Sequence, residues 1–139
     1  MKVSTKGQYG VRAMFDLAMC YGEAPVSISK IASNQGISVA YLEQLFSLLK
    51  KAGIIRSIRG AQGGFLLMRE PKDINIGSIL MALEGPMAPV KCVSHDLDCE
   101  IVSDCPSRVI WQVLEDRINE VLESISLQDM IDRYNAVKQ

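Results

Sequence analysis

Long apolar runs are missing from this 139-residue sequence. No stretch approaches the ~20 consecutive apolar residues that a membrane-spanning helix needs. The start, Met1-Lys2-Val3-Ser4-Thr5-Lys6, lacks the apolar segment of a secretory signal. The expected location is therefore the cytoplasm, with no membrane partner. There is one histidine, no phosphate-cradling nucleotide loop and no acid–base pair suited to catalysis. Neither an enzyme nor a small-molecule substrate is expected on that inventory. No pair of cysteines has the two-residue gap of a zinc ribbon or a ferredoxin motif. Internal repeats and low-complexity segments are absent too.

What is present starts with a hydrophobic content of 48%, enough to build a core. The length suits one domain, or one domain with a helical extension. The net charge of −1 hides an asymmetry. Residues 1–72 hold ten Lys or Arg against four acids, a net of +6, whereas residues 73–139 hold five against twelve, a net of −7. A basic front half joined to an acidic back half fits a polyanion-binding module followed by a different one. Chance segregation of surface charge is the plainer alternative.

Local signals divide the front half. Ser4 or Thr5 can cap a helix from about Lys6 to Tyr21, with Val11, Met14, Phe15, Leu17 and Ala18 at helical spacing. Cys20 at its end reads as a small buried hydrophobe. Ser27 caps a short helix, about Ile28 to Asn34, and Gly36 makes a turn. Ser38 caps a third helix, about Val39 to Lys51, with Leu42, Leu45, Phe46 and Leu49 on one face. Two helices joined by a glycine turn suit a helix-turn-helix, or an ordinary helical hairpin. Residues 54–58 then read as a strand with Ile54, Arg56 and Ile58 on one face, and residues 65–68 as its return. The Arg59–Gly64 loop between them would be the tip of a wing. The expected fold is mainly α with a small β-wing.

The back half starts with a helix over residues 74–85. A long loop, 86–106, follows, and loops of that length are usually functional or disordered. A long helix, about Ser107 to Ile125, carries an apolar stripe from Val109 to Ile125, opposite Glu115, Asp116, Glu120 and Glu123. A short helix, about Leu127 to Tyr134, ends the chain. The stripe would pack on its own domain or on a second copy, and helix-turn-helix proteins commonly pair to read two half-sites. The expected division is a DNA-binding domain at 1–72, a connecting helix and cysteine loop at 73–106, and dimerisation and C-terminal helices at 107–139.

The candidate DNA-reading residues follow from that layout. Ser38, Val39, Ala40, Tyr41, Glu43 and Gln44 start the recognition helix and are expected to be exposed to base edges. Gln44 carries the two-pronged amide that suits adenine, and Glu43 can accept from cytosine. Arg59 at the wing tip suits a narrow minor groove. Gly60, Gln62, Gly63 and Gly64 would let the wing approach the duplex, with Lys2, Lys6 and Arg56 on phosphates. Taken singly, most of these charges also suit an ordinary solvated surface.

Three cysteines, Cys92, Cys99 and Cys105, fall in the acidic loop, with His95 between the first two. Thiolates select iron–sulfur clusters, zinc or copper(I). An iron–sulfur cluster, structural zinc with His95 as fourth ligand, a metal-free thiol–disulfide switch and inert cysteines all fit the spacing.

The opening MKVSTKGQYG, the segments ISVAYLEQLF and SIRGAQGGF, and the three-cysteine loop together resemble the IscR-type family of winged-helix regulators, which also holds NsrR, RirA and CymR. The match covers nearly the whole chain. It implies a homodimer in which the long helix crosses its counterpart. It also implies a cluster held at Cys92, Cys99 and Cys105, [2Fe–2S] ahead of the [4Fe–4S] of NsrR-like members. The family's DNA-contact positions match Glu43, Gln44 and Arg59. Two positions depart from the IscR pattern. Arg108 stands where a histidine ligand follows the third cysteine, leaving His95 or another residue, including one of the other subunit, as fourth donor. Ala40 stands where serine is common, so the resemblance does not fix the exact operator. The implied role is a repressor of iron–sulfur biogenesis or of a related iron or redox response. The alternative is a cluster-free repressor of sulfur or cysteine metabolism that answers a partner protein or thiol oxidation.

Overall fold

The computed structural model describes residues 3–86 and 106–138. Three serine- or asparagine-capped helices and a hairpin build its first part. Helix α1, Thr5–Met19, starts where the Ser4 hydroxyl accepts the Gly7 amide. Helix α2, Ile28–Gln35, starts at Ser27, whose hydroxyl accepts from Lys30 at 3.2 Å. It ends at Gly36, which turns the chain with φ +67°. Helix α3, Val39–Lys51, starts at Ser38, which accepts from Tyr41 at 3.1 Å. Each cap satisfies an amide that the first helical turn leaves without a partner.

Strands β1, Ile55–Ile58, and β2, Gly64–Leu67, pair antiparallel with Ile55 opposite Leu67 and Ile58 opposite Gly64. Val26 joins the hairpin at the other edge of β2. The Val26 amide donates to Phe65 at 3.1 Å, and the Phe65 amide donates back at 2.8 Å. The hairpin is thereby stapled to the segment that enters α2.

The expected strand 54–58 needs correction. Ile54 and Ile55 are both buried, while Arg56 is exposed, so Ile54 and Arg56 do not share a face. Ile54 bridges the two elements: its amide donates to the Leu49 carbonyl of α3 at 3.1 Å and its carbonyl accepts from the Met68 amide at 2.9 Å. The period-two alternation starts one residue later. The first helix ends at Met19, two residues before the expected Tyr21, with Cys20 as its cap.

A 3₁₀ turn at Pro71–Asp73 leads to α4, Ile76–Glu84, capped by Asn75. The expected start at Ile74 moves because Asn75 accepts the Ser78 amide at 2.8 Å and so begins the helix itself. Helix α4 lies close against α1. A Cβ at Gly10 would run into the Leu83 side chain, so glycine is what permits that approach. Helix α5, Arg108–Ser124, has no buried residue. Helix α6, Leu127–Lys138, runs four residues past the expected Tyr134 and returns to pack on α1, where Tyr134 meets Phe15 edge-on.

One core joins these pieces. Met14, Ile31, Leu42, Leu45, Phe46 and Leu49 meet Ile55 from the hairpin, Ile74 and Ile79 from around α4, and Leu127 from α6. The core therefore continues past residue 72. A second short bridge fixes the far end of α5: the Ile76 amide donates to Ile125 at 2.8 Å, and the Leu127 amide donates to Ile74 at 2.9 Å. No described helix is long and apolar enough to cross a membrane.

Candidate nucleic-acid interface

The burial pattern of α3 separates its two faces. Leu42, Leu45, Phe46 and Leu49 are buried, which leaves Ala40, Glu43, Gln44 and Ser47 exposed as one strip. Those positions recur at three- and four-residue steps, so they lie on one face of the helix. Ser47 was not among the sequence-derived candidates, although its spacing from Glu43 and Gln44 carries the signal. Ser38 and Val39 are exposed at the start of the helix. The Ser38 hydroxyl is engaged in the cap, so its first duty is to the helix. Lys50 and Lys51 are exposed in the last turn, where positive charge also complements the helix dipole.

Tyr41 is different from expectation. It is half-buried, with its ring packed edge-on against Tyr9 of α1 at a centroid distance of 6.2 Å and an interplanar angle of 90°. The Arg12 guanidinium carbon sits 5.2 Å from the Tyr9 ring centroid. Sequence reasoning missed Tyr9 and Arg12, because nothing local to either residue signals a partner about thirty positions away.

The wing is held in register with α3 by aromatic packing. Phe46 and Phe65 meet edge-to-face with centroids 4.9 Å apart. The tip is a turn in which the Gly63 amide donates to Gly60 at 3.0 Å, with Gly60 at φ +113°. Gly63 and Gly64 have a reason internal to the protein. A Cβ on Gly63 would meet the Gly60 carbonyl oxygen at 3.0 Å, and one on Gly64 would meet the Val26 carbonyl carbon at 2.5 Å. Arg59, Gly60 and Gln62 are exposed at this tip, and Arg56 is exposed on β1. Lys6 is exposed on the first turn of α1. Lys6, Arg56 and Arg59 have no carboxylate partner among the described residues, whose ion pairs are Lys72–Glu70 and Arg117–Glu120.

A second network ties α1 to the end of α4. One Glu84 carboxylate oxygen accepts from the Ser4 amide at 2.8 Å, from the Gly7 amide at 3.2 Å and from the Ser4 hydroxyl. Negative charge at a helix N-terminus is favourable. Two residues beyond Glu84 the described chain stops. Lys2, Cys92, His95, Cys99 and Cys105 lie outside the described residues. The four candidate metal ligands are therefore known here by residue type alone. Among the described residues no group of three potential metal ligands comes together.

An exposed helix strip beside a cationic hairpin is an arrangement that suits contact with duplex DNA. Comparison with known proteins gives the family. Residues 3–133 match the Rrf2 family, described as iron-dependent transcriptional regulators. The chain belongs to the Rrf2 family. It is 42% identical over 130 residues to the HTH-type transcriptional regulator CymR of Bacillus subtilis, covering 94% of this chain and 89% of that protein. Among solved structures, T. potens IscR superposes with a TM-score of 0.80 at 45% identity, over 100% of this chain and 92% of that one. The structure of CymR, the global cysteine regulator of B. subtilis, superposes with a TM-score of 0.81 at 41% identity, over 96% and 98%. The mainly helical fold with a two-stranded wing is thus that of a winged-helix regulator. This Rrf2 protein is a DNA-binding transcriptional regulator, from a family of regulators rather than enzymes.

Proposed function

We propose that this Rrf2 protein binds operator DNA as a homodimer and that an iron–sulfur cluster held by Cys92, Cys99 and Cys105 gates that binding. The observation that carries the DNA half is the shared surface of α3 and the wing. Ala40, Glu43 and Gln44 face outward from the helix, and Arg59 extends from a tip that Phe46 and Phe65 hold in register. Glu43 and Gln44 read base edges in the major groove, Arg59 enters the minor groove, and Lys6 and Arg56 meet phosphates. Lys2, Ser38, Val39, Tyr41, Gly60, Gln62, Gly63 and Gly64 complete the proposed footprint.

The dimer is supported by α5. Val109, Ile110, Val113, Leu114 and Val121 are 37–68% exposed along one side of a helix that has no fully buried residue in its own protomer, although Leu122 packs against the core. Contiguous exposed apolar surface of this kind marks a partner interface. The division of labour we propose is reading by residues 1–72, sensing through 73–106 and pairing through 107–139, although α4 and α6 share the reading domain's core.

The donor set fits a cluster. Three thiolates within fourteen residues of sequence are soft ligands of the kind that select iron–sulfur centres. Arg108 is cationic and unsuited to the fourth position, which His95, another residue or a donor from the second subunit would fill. We favour [2Fe–2S] over [4Fe–4S]. A bound cluster supplies a centre whose presence or oxidation state reports iron or redox conditions. The chain's own contribution is mechanical. Glu84, which precedes the cysteine-bearing segment in sequence, holds the N-terminus of α1, and α1 packs on α3. A change at Glu84 would thereby be felt at the reading head. The regulated process would be iron–sulfur biogenesis or a related iron or redox response, most simply by repression.

Similarity to CymR favours a second reading: a cluster-free repressor of sulfur or cysteine metabolism that answers thiol oxidation or a partner protein. Chemical analysis of protein purified without oxygen separates the two. Iron and acid-labile sulfide in stoichiometric amount support the cluster. Their absence from every such preparation refutes it.

A further inference from the structure

Tyr9 and Arg12 lie on α1, away from the exposed strip of α3 and from the wing, yet the Tyr9 ring reaches the recognition helix and Arg12 reaches the Tyr9 ring. The Tyr9 ring meets Tyr41 edge-to-face at 6.2 Å, and Arg12 covers the Tyr9 ring at 5.2 Å. Tyr41 occupies the first turn of α3, between Ala40 and the pair Glu43 and Gln44. Its amide is held by Ser38, but its ring is held from outside the helix. We propose that Tyr9, clamped by Arg12, is a positioning residue for DNA recognition: it fixes the Tyr41 ring and with it the rotation of the exposed strip of α3. The inference rests on the reading of α3 as the recognition helix.

The physical argument is one of geometry. An edge-to-face aromatic pair has a preferred orientation, unlike an aliphatic contact of equal area. A cation over the free face of Tyr9 strengthens the hold on that ring. Both tyrosines are half-buried and Arg12 is exposed, so the stack sits at the rim of the core. A simple filler would tolerate any apolar side chain of similar size at position 9. A positioning ring would not.

The test uses the full chain and two DNA probes: a duplex that the wild-type protein selects from a randomised library, and a scrambled duplex of equal length. The readout is the affinity ratio between them, with thermal unfolding followed in parallel. Tyr9→Phe keeps the ring and should keep the ratio. Tyr9→Leu should lower the ratio about three- to tenfold, the range expected for losing one such pair. Tyr41→Leu should do the same, and the double variant should be no worse than the poorer single one, because both remove one interaction. An unchanged ratio in Tyr9→Leu, strict additivity of the two, or equal loss in Tyr9→Phe overturns the proposal. Should Tyr9→Leu fail to fold, Arg12→Met serves. It should lower the ratio about two- to fivefold with the unfolding midpoint retained. Equal weakening on both probes would make Arg12 a phosphate contact and overturn the clamp. Failure of the wild-type chain to select any duplex overturns the reading of α3 itself. A discriminating wild type beside an equally discriminating Tyr9→Leu overturns the role of Tyr9 alone.

Discussion

Replacing Ile110 by alanine tests what the exposed face of α5 is for. Ile110 is 61% exposed in the protomer and lies amid Val109, Val113 and Leu114. The substitution removes three carbons, worth about 2.4 kcal/mol if fully buried at about 0.8 kcal/mol each. Only the part exposed in the protomer is available to a partner, which leaves about 1.5 kcal/mol per copy. A two-fold interface uses each residue twice, so the dimer loses about 3 kcal/mol. At about 1.4 kcal/mol per decade, its dissociation constant rises roughly a hundredfold. Sedimentation equilibrium over a concentration series measures that constant directly. Asp116→Ala, on the acidic side of the same helix, should leave it unchanged. A dissociation constant that Ile110→Ala leaves within a factor of two of wild type would refute the assignment of this stripe to pairing.

Other outcomes follow from the same structure. Arg59→Ala should weaken binding to the selected duplex by about 1–3 kcal/mol, measured by gel shift, and unchanged affinity would remove Arg59 from the interface. Gly64→Ala should cost about 1–3 kcal/mol in denaturant unfolding, because the added methyl meets the Val26 backbone and must push the wing off its staple; an unchanged midpoint contradicts that packing. Asp129 and Ser126 cap α6 reciprocally, with the Ser126 amide donating to the carboxylate at 2.9 Å and the Asp129 amide to the Ser126 hydroxyl at 3.1 Å. The Ser126 backbone bond, then the bond to its side chain, holds the Asp129 carboxyl below its ordinary 3.8. Its contribution to stability is therefore present above pH 3.8 and lost as pH falls through the lowered value. Asp129→Asn should flatten stability across that acid window, and an unaltered acid limb in thermal melts would count against the cap.

Much of the fold was readable because its punctuation is local. Ser27, Ser38 and the glycines at 36 and 53 mark helix ends by chemistry that needs no distant partner, and α3 has the bounds its sequence predicts. What sequence reasoning missed depends on contacts far along the chain. The staple between Val26 and Phe65 and the bridge between Asn75 and Ser126 join segments that no local period links. Ile54 alternates like a strand residue, yet only its carbonyl joins the hairpin, while its amide turns back to α3. In the candidate site, Glu43, Gln44 and Arg59 were legible from type and position. The burial of Tyr41 was not, because it depends on Tyr9. Gly63 and Gly64 read as concessions to DNA, whereas the wing's own backbone already requires them.

The most direct test of the account compares two forms of one protein on one duplex. The chain is purified without oxygen, and half is stripped of iron by chelation. Affinity for the selected duplex is then measured for both across a salt series. Cluster-gated recognition predicts affinities that differ by about fivefold or more at every salt concentration, with Cys99→Ser behaving as the stripped form. Equal affinity of both forms for every duplex the protein selects would contradict it.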